Sequence, residues 1–319
     1  MLYELDYDIK KFGEILLAIR KKGKMTQKQI RELSGIHPDT MKSLEYGLRF
    51  PSIDTVNKLS DLYQINLLNV LNECRFDKND FLVSINSKID MISYSDDLKE
   101  IDEVIDSLNN YIKDNIENFT DRILSKIRQM ELLSKLIKIK NKTDIMNINL
   151  TEELCIQAIQ LTHPGFNISQ VHKNYYSLLE YRILLIYSFC MTRQKKHQLA
   201  LDTTQFILKN LNYHYKSNQS AVKLILLGLF FQSYQLFIMD DNAEVINTCN
   251  TGIQMSKEKY CMKYLPTFYF RKGISEYKSN NTSYTETLKN CLETLKLLDN
   301  QEMHDKYLSV LNNKYSIHL

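Results

Sequence analysis

The sequence predicts an all-α protein in two parts, a head of five short helices and a longer body of paired helices. Three observations carry this. The 319 residues include only 8 Gly and 4 Pro, where average usage would supply about 22 and 16. Strand-rich folds and glycine-cradled nucleotide domains take many turns from those residues, whereas helices joined by short polar loops need few. The punctuation is also uneven: Gly13, Gly23, Gly35, Gly47, Pro38 and Pro51 all precede residue 52. Beyond Leu98, apolar residues recur at helical spacing in almost every segment. The expected organisation is a head over 1–71, a linker over 72–97 that is polar and poor in periodicity, and a helical body over 98–319.

Charge divides the chain in the same way. Residues 9–50 hold ten Lys and Arg against four Asp and Glu, a net of +6, although the whole chain carries only +3. The rest is therefore slightly acidic, and the field that would attract a polyanion belongs to the head. Cys74, Cys155, Cys190, Cys249, Cys261 and Cys291 are scattered without metal-ligand spacing, which predicts buried thiols in a reducing compartment rather than a disulfide or zinc framework. No signal-peptide pattern opens the chain, and the richest apolar run, 224–231, has eight residues, far fewer than the roughly 20 that span a bilayer. A soluble, cytoplasmic protein without membrane contact is expected.

In the head, Ile15, Leu16 and Ile19 form the stripe of a first helix stopped near Gly23. Thr26-Gln27-Lys28-Gln29 fits a capping box, so a second helix begins at Gln27, with Ile30 and Leu33 as its apolar face and Gly35 as its stop. After a tight turn, Pro38 is suited to the first position of a third helix. That helix points Met41 and Leu44 inward and leaves Asp39, Lys42, Ser43 and Tyr46 on one outer face. A fourth helix carries Val56, Leu59 and Leu62, and a fifth spans 67–71.

Two short helices joined by a glycine turn have the geometry of a helix-turn-helix, whose second helix is sized for the major groove. The run Arg20…Gln27…Gly35-Ile36…Glu45-Tyr46-Gly47-x-Arg49-x-Pro51-Ser52 resembles the lambda and 434 repressor, Cro and Xre class of DNA-binding domain over residues 10–71. The resemblance implies a lambda-repressor-like fold in which Gln27 meets phosphate and orients the recognition helix, while Arg20 and Glu45 form an internal ion pair. It places Asp39, Lys42 and Ser43 at base-reading positions and Lys28 and Arg49 at phosphates, with His37, Thr40 and Tyr46 completing the surface. Pro38 departs from the family, many of whose members have a polar base-reading side chain there. Asp39 accepts but does not donate, which favours a cytosine N4 donor or no base contact.

Three intervals of the body read as helical hairpins: 175–211 turning near Arg193, 219–257 turning near Asp240, and 264–298 turning near Asn280. Ser188, Gly228 and Gly273 recur in the middle of the first helices, where small residues allow close approach. Leu227-Gly228-x-x-Phe231 and Ala200 fit parts of a tetratricopeptide repeat, so the body is read as a degenerate tetratricopeptide-like α-solenoid. Residues 221–239 are apolar all round, which places that helix mid-array. Such arrays receive extended peptides on the wall made by their first helices. Candidate groove residues are Asn174, Tyr181, Tyr187, Gln232, Tyr234, Gln235, Tyr269 and Arg271, the tyrosines for apolar area with a polar tip and the others for a peptide backbone.

Head and body together resemble the peptide-pheromone receptors of the Rgg, NprR, PlcR and PrgX group, with size and pattern nearest the PrgX and TraA branch. The resemblance implies a transcription regulator, a repressor by expectation. It would bind a palindromic double-stranded operator as a homodimer extendable to a tetramer, under control of a short hydrophobic signalling peptide. The alternatives are a phage- or plasmid-type repressor whose body only oligomerises, and a protein-sequestering scaffold. No catalytic motif stands out: H-E-x-x-H, G-x-S-x-G, G-x-x-x-x-G-K-[ST] and G-x-G-x-x-G are missing, and neither enzyme chemistry nor a cofactor is expected. His163 and His172 near Cys155 flank a Pro-Gly turn and do not form a metal pattern. Asp96-Asp97 and Asp240-Asp241 are read as helix starts.

Overall fold

The computed structural model describes residues 7–76, 80–95, 98–142, 148–215 and 219–319, and their regular elements are helices with one isolated bridge between Tyr7 and Arg75. In chain order these are α1 Ile9–Lys22, α2 Gln27–Ser34, α3 Pro38–Glu45, α4 Ile53–Tyr63, α5 Leu67–Glu73, α6 Asp80–Ser95, α7 Ile101–Asn115 and α8 Asp121–Lys142. They continue with α9 Ile148–Gln160, α10 Leu178–Arg193, α11 His197–His214, α12 Gln219–Ile238, α13 Asn242–Glu258, α14 Leu265–Lys278, α15 Tyr284–Leu297 and α16 Gln301–Tyr315. The chain divides into two compact units, Met1–Ser134 and Lys135–Leu319, with the division falling within α8.

Local chemistry sets the helices of the head. Asp8, Thr26, Ser52 and Asn66 each accept a backbone N–H as the N-caps of α1, α2, α4 and α5, interactions worth about 1 kcal/mol apiece. The capping box at Thr26 closes in both directions, with Gln29 N donating to Thr26 Oγ1 at 3.2 Å and Thr26 N to Gln29 Oε1 at 2.8 Å. Gly35 stops α2 at a left-handed φ of 74°. Phe12, Leu16, Ile30, Met41, Leu44, Val56, Leu59 and Leu67 form the core. Leu33, expected on the apolar face of α2, is instead exposed, because Ile36 beyond the Gly35 turn fills the core there.

The segment read as a linker contains α6, whose Leu82, Ile85, Ile89 and Ile92 are buried at helical spacing. α6 packs on α7, with the rings of Phe81 and Tyr111 stacked at 4.2 Å. The pattern is hard to see in the sequence because the exposed Val83 and Met91 blur it. Asp96-Asp97 lie outside the described residues, whereas Asp241 is the N-cap of α13 and accepts from Glu244 N at 3.2 Å.

In the second unit α10–α11, α12–α13 and α14–α15 are antiparallel hairpins, and the first helices also pack on one another, α10 on α12 and α12 on α14. The small residues make this possible. A Cβ on Gly228 would lie 2.7 Å from Leu208 Cδ2, and one on Gly273 would lie 2.6 Å from Leu288 Cδ2. Ser188 is fully buried and accepts from Thr204 Oγ1 at 3.0 Å. Over Ser220–Ile238, α12 is long and apolar enough by composition to cross a bilayer, a longer run than the eight residues noted in the sequence. Most of it is buried against α10, α11, α13 and α14, so packing accounts for its apolarity.

Helix ends in this unit use few glycines. Lys195, Asp240, Tyr260, Asn280 and Asp299 take positive φ between 53° and 64°. At each, the next residue's N–H returns to a carbonyl five residues back, as from Lys196 to Met191 at 3.0 Å and from Asn281 to Glu276 at 2.8 Å. This is the Schellman closure, usually made with glycine because a Cβ is disfavoured at left-handed φ. Tyr260 is 87% exposed, so Tyr260→Gly relieves the backbone without removing core. It should raise stability in thermal unfolding by about 1 kcal/mol; a loss of stability would contradict this account of the turn.

Candidate nucleic-acid interface

The helix-turn-helix is fixed by one buried carboxylate. Glu45, at the end of α3, is 4% exposed and accepts from Arg20 Nε at 2.5 Å, Arg20 Nη2 at 2.9 Å and Gln27 Nε2 at 2.9 Å. The bidentate fork ties α3 to α1, and the amide of Gln27 ties it to the first residue of α2. Arg20 Nη1 also donates to the Met25 carbonyl at 3.0 Å, fixing the α1–α2 loop. The hydrogen bond to Glu45 raises the Arg20 pKa, and burial first, with the Glu45 charge second, pushes the Tyr63 phenol up to about 12.

Two glycines bring α1 against the end of α3. A Cβ on Gly13 would lie 2.4 Å from the Leu44 carbonyl oxygen, and Gly47, at φ 65°, would place one 2.6 Å from Lys10 Cα. Both would meet backbone, which cannot give way.

The predicted surface residues separate into two groups. Lys28, His37, Asp39, Lys42, Tyr46 and Arg49 are exposed, with Thr40 and Ser43 half-buried beside them on α3. His37 caps α3, its Nδ1 accepting from Asp39 N at 3.3 Å, and the same nitrogen lies 3.3 Å from Asp39 Oδ2. Ser43 Oγ donates to the Asp39 carbonyl at 2.8 Å. Gln27 is different: it is half-buried at the start of α2 and its amide nitrogen is committed to Glu45. Lys10 was not singled out by sequence reasoning. It is exposed and borders a cleft of about 690 Å3 in the first unit together with Arg49. Its only sequence signal is the local count of cations.

The predicted groove residues do not converge. Tyr181 and Tyr187 are buried within the array: burial pushes the Tyr181 phenol up to about 12 and raises that of Tyr187, whose hydroxyl donates to Glu152 at 3.1 Å. Gln235 is fully buried and donates to Thr192 Oγ1 at 3.2 Å and Thr204 Oγ1 at 3.1 Å. Tyr269 is buried beneath Lys257, 5.6 Å from its ring centroid, and Arg271 is buried against α12. Tyr181, Tyr187, Gln235 and Tyr269 pack inside the array because α10, α12 and α14 are covered on several sides.

Gln232 and Tyr234 on α12 are half-buried. Asn174 stands apart, beside the exposed Tyr175 on a cleft of about 600 Å3 that Lys173, Lys209, Phe206 and Tyr213 also line. The half-buried rings that do line one side of the first helices are Phe189, Phe230, Tyr234 and Tyr264. Phe189 lies 5.9 Å from Tyr234, and Phe230 lies 4.8 Å from Tyr264. Cys74, Cys155, Cys190, Cys249 and Cys291 are buried, as their scatter implied, whereas Cys261 is only half-buried.

Fold and site together define a helix-turn-helix head carried by a helical-repeat body. Residues 16–68 match the helix-turn-helix family HTH_3. No curated protein matches the sequence. The chain is similar in fold to PlcR of Bacillus thuringiensis, solved in complex with the peptide PapR7 and DNA, at 16% identity and TM-score 0.65, over 93% of this chain and 99% of that one. It is also similar to ComR from S. thermophilus, solved with DNA and its signalling peptide ComS, at 11% identity and TM-score 0.55, over 93% and 97%. A third likeness is the SHP pheromone receptor Rgg2 of Streptococcus dysgalactiae, at 10% identity and TM-score 0.52, over 96% and 100%.

Removing one partner from a buried pair strands the other, at a cost of about 3 kcal/mol. Arg20→Met should therefore lower head stability by about that amount in denaturant unfolding, and Arg20→Met with Glu45→Leu should recover most of it. A double variant as unstable as the single one would show that the network does not carry the packing.

Proposed function

We propose that the chain is a sequence-specific transcription regulator that reads double-stranded DNA with α3 and is controlled by a short apolar peptide held by its helical body. The observation that carries this is the anchoring of α3 through Glu45, which leaves Asp39, Lys42 and Tyr46 outward in a head of locally positive charge. The HTH_3 match supports the DNA reading. PlcR and ComR, solved with DNA and peptide on the same fold, support the pairing of the two ligands.

In this reading Lys28, Arg49 and the N-terminus of α2 meet phosphates and set the register of the duplex. Lys42 and Asp39 then approach base edges in the major groove, Lys42 toward guanine and Asp39 toward a cytosine amine. One head offers few base contacts, so specificity comes from two heads on paired half-sites, which makes the working species a homodimer and the operator palindromic. The peptide acts by binding one arrangement of the paired heads better than the other, since equal affinity would shift nothing. Repression follows where the favoured arrangement holds the operator.

Phosphate binding is measurable without knowing the operator. On a 30-base-pair duplex of arbitrary sequence, the slope of log K against log salt should shrink by about 0.9 for each phosphate that is no longer neutralised. Lys28→Ala and Arg49→Ala combined should reduce it by roughly 2 in fluorescence anisotropy, with the helical circular-dichroism signal unchanged. An unaltered slope would reject this face as the DNA surface.

A further inference from the structure

Arg271 on α14 is a cation without a counter-ion. Its side chain is buried, and no carboxylate among the described residues lies within ion-pairing distance of it. Nη1 donates to the Phe230 carbonyl at 2.5 Å and to Ser233 Oγ at 2.6 Å. The guanidinium lies 4.4 Å from the Phe230 ring centroid and 5.3 Å from that of Tyr234. Nε and Nη2 make no hydrogen bond among the described residues, so the fork that suits a carboxylate is unused.

The groups around it do not neutralise it. Burial raises the Cys249 thiol to about 12 and also raises the Tyr307 phenol, so both are neutral at ordinary pH. Glu276, the buried carboxylate of the same helix, pairs with Lys272 at 3.6 Å. A desolvated guanidinium held only by neutral partners is an expensive arrangement, and the residue keeps 9% of its surface exposed. The walls beside it are the half-buried rings of Phe189, Phe230, Tyr234 and Tyr264, which favour apolar contact and cation–π packing. A nucleic acid would need a run of cations; one guanidinium among aromatic rings fits one negative charge on an apolar chain.

We propose that Arg271 receives a carboxylate of the apolar peptide, paired side-on through Nε and Nη2 between the aromatic rings of α12 and the start of α14. This rests on the peptide-binding reading above. The carboxylate comes either from the peptide's C-terminus or from an acidic side chain, and the chemistry of the clamp is the same for both.

The test is equilibrium dialysis of the full chain against three pools of acetylated heptapeptides drawn from Leu, Ile, Val, Phe and Pro: free acids, amides, and amides with one internal Asp. The wild-type chain should retain one or both carboxylate-bearing pools at least tenfold more than the neutral amides. Greater retention of the free acids assigns the C-terminus, and greater retention of the Asp pool assigns a side chain. In Arg271→Met the preference should vanish while residual retention of all pools persists, and the Tm without peptide should be no lower than wild type. Arg271→Lys, which keeps the charge but not the fork, should give an intermediate preference and serves if Arg271→Met does not fold. Equal retention of acids and amides by wild type, or an undiminished preference in the folded Arg271 variants, overturns the clamp. Retention of no pool overturns the peptide reading, and the clamp with it.

Discussion

The buried carboxylate of Glu45 is the point on which the head depends. It is too far from water to stand alone, and its two oxygens are filled by Arg20 from α1 and Gln27 from α2. Three helices from different stretches of the sequence are therefore placed by one group, and the angle at which α3 leaves the head follows from it. The same demand explains why Gly13 is a glycine: α1 must lie against the carbonyls of Leu44 and Glu45 for Arg20 to reach. Gln27, the first residue of α2, fastens α3 with its amide nitrogen.

The body solves a different problem. Its first helices are covered on several sides, so its polar groups must find partners inside. Thr192, Thr204, Ser188 and Gln235 hydrogen-bond across α10, α11 and α12. Hydroxyl and amide groups tie these helices, the buried carboxylate of Glu276 pairs with Lys272, and Arg271 is bound only to neutral groups among the described residues. An array built this way has a stiff interior and a wall of partly exposed rings along one side of α10, α12 and α14.

Sequence patterns exposed the parts of this that are local. Thr26 with Gln29, Gly35, Pro38 and Ser52 each act within a few residues, and the helix ends they mark are where the structure places them. The recurrence of Ser188, Gly228 and Gly273 likewise reported close packing, since only small residues fit opposite Thr204, Leu208 and Leu288. What depends on tertiary cover was not readable. Leu33 and Ile36 are both apolar and near the turn, and only the packed head decides which is buried. Tyr181, Tyr187 and Gln235 satisfy the chemistry of a groove equally well inside an array, and helical period does not tell a face covered by a neighbour from one left open. α6 was missed because the exposed Val83 and Met91 blur the stripe made by its four buried side chains. The scarcity of glycine, which pointed rightly to helices, also concealed helix ends, among them those at Lys195, Asp240, Tyr260, Asn280 and Asp299, that adopt left-handed φ without glycine.

Selection of sequences from a pool of randomised 40-base-pair duplexes by the full chain tests the central claim most directly. If α3 reads base edges from paired heads, the retained duplexes will share an inverted repeat, its half-sites centred about one helical turn or a multiple of it apart. Retention without any shared sequence, or a single half-site with no partner, would contradict a paired reader of DNA and leave the head a helix-turn-helix fold put to another use.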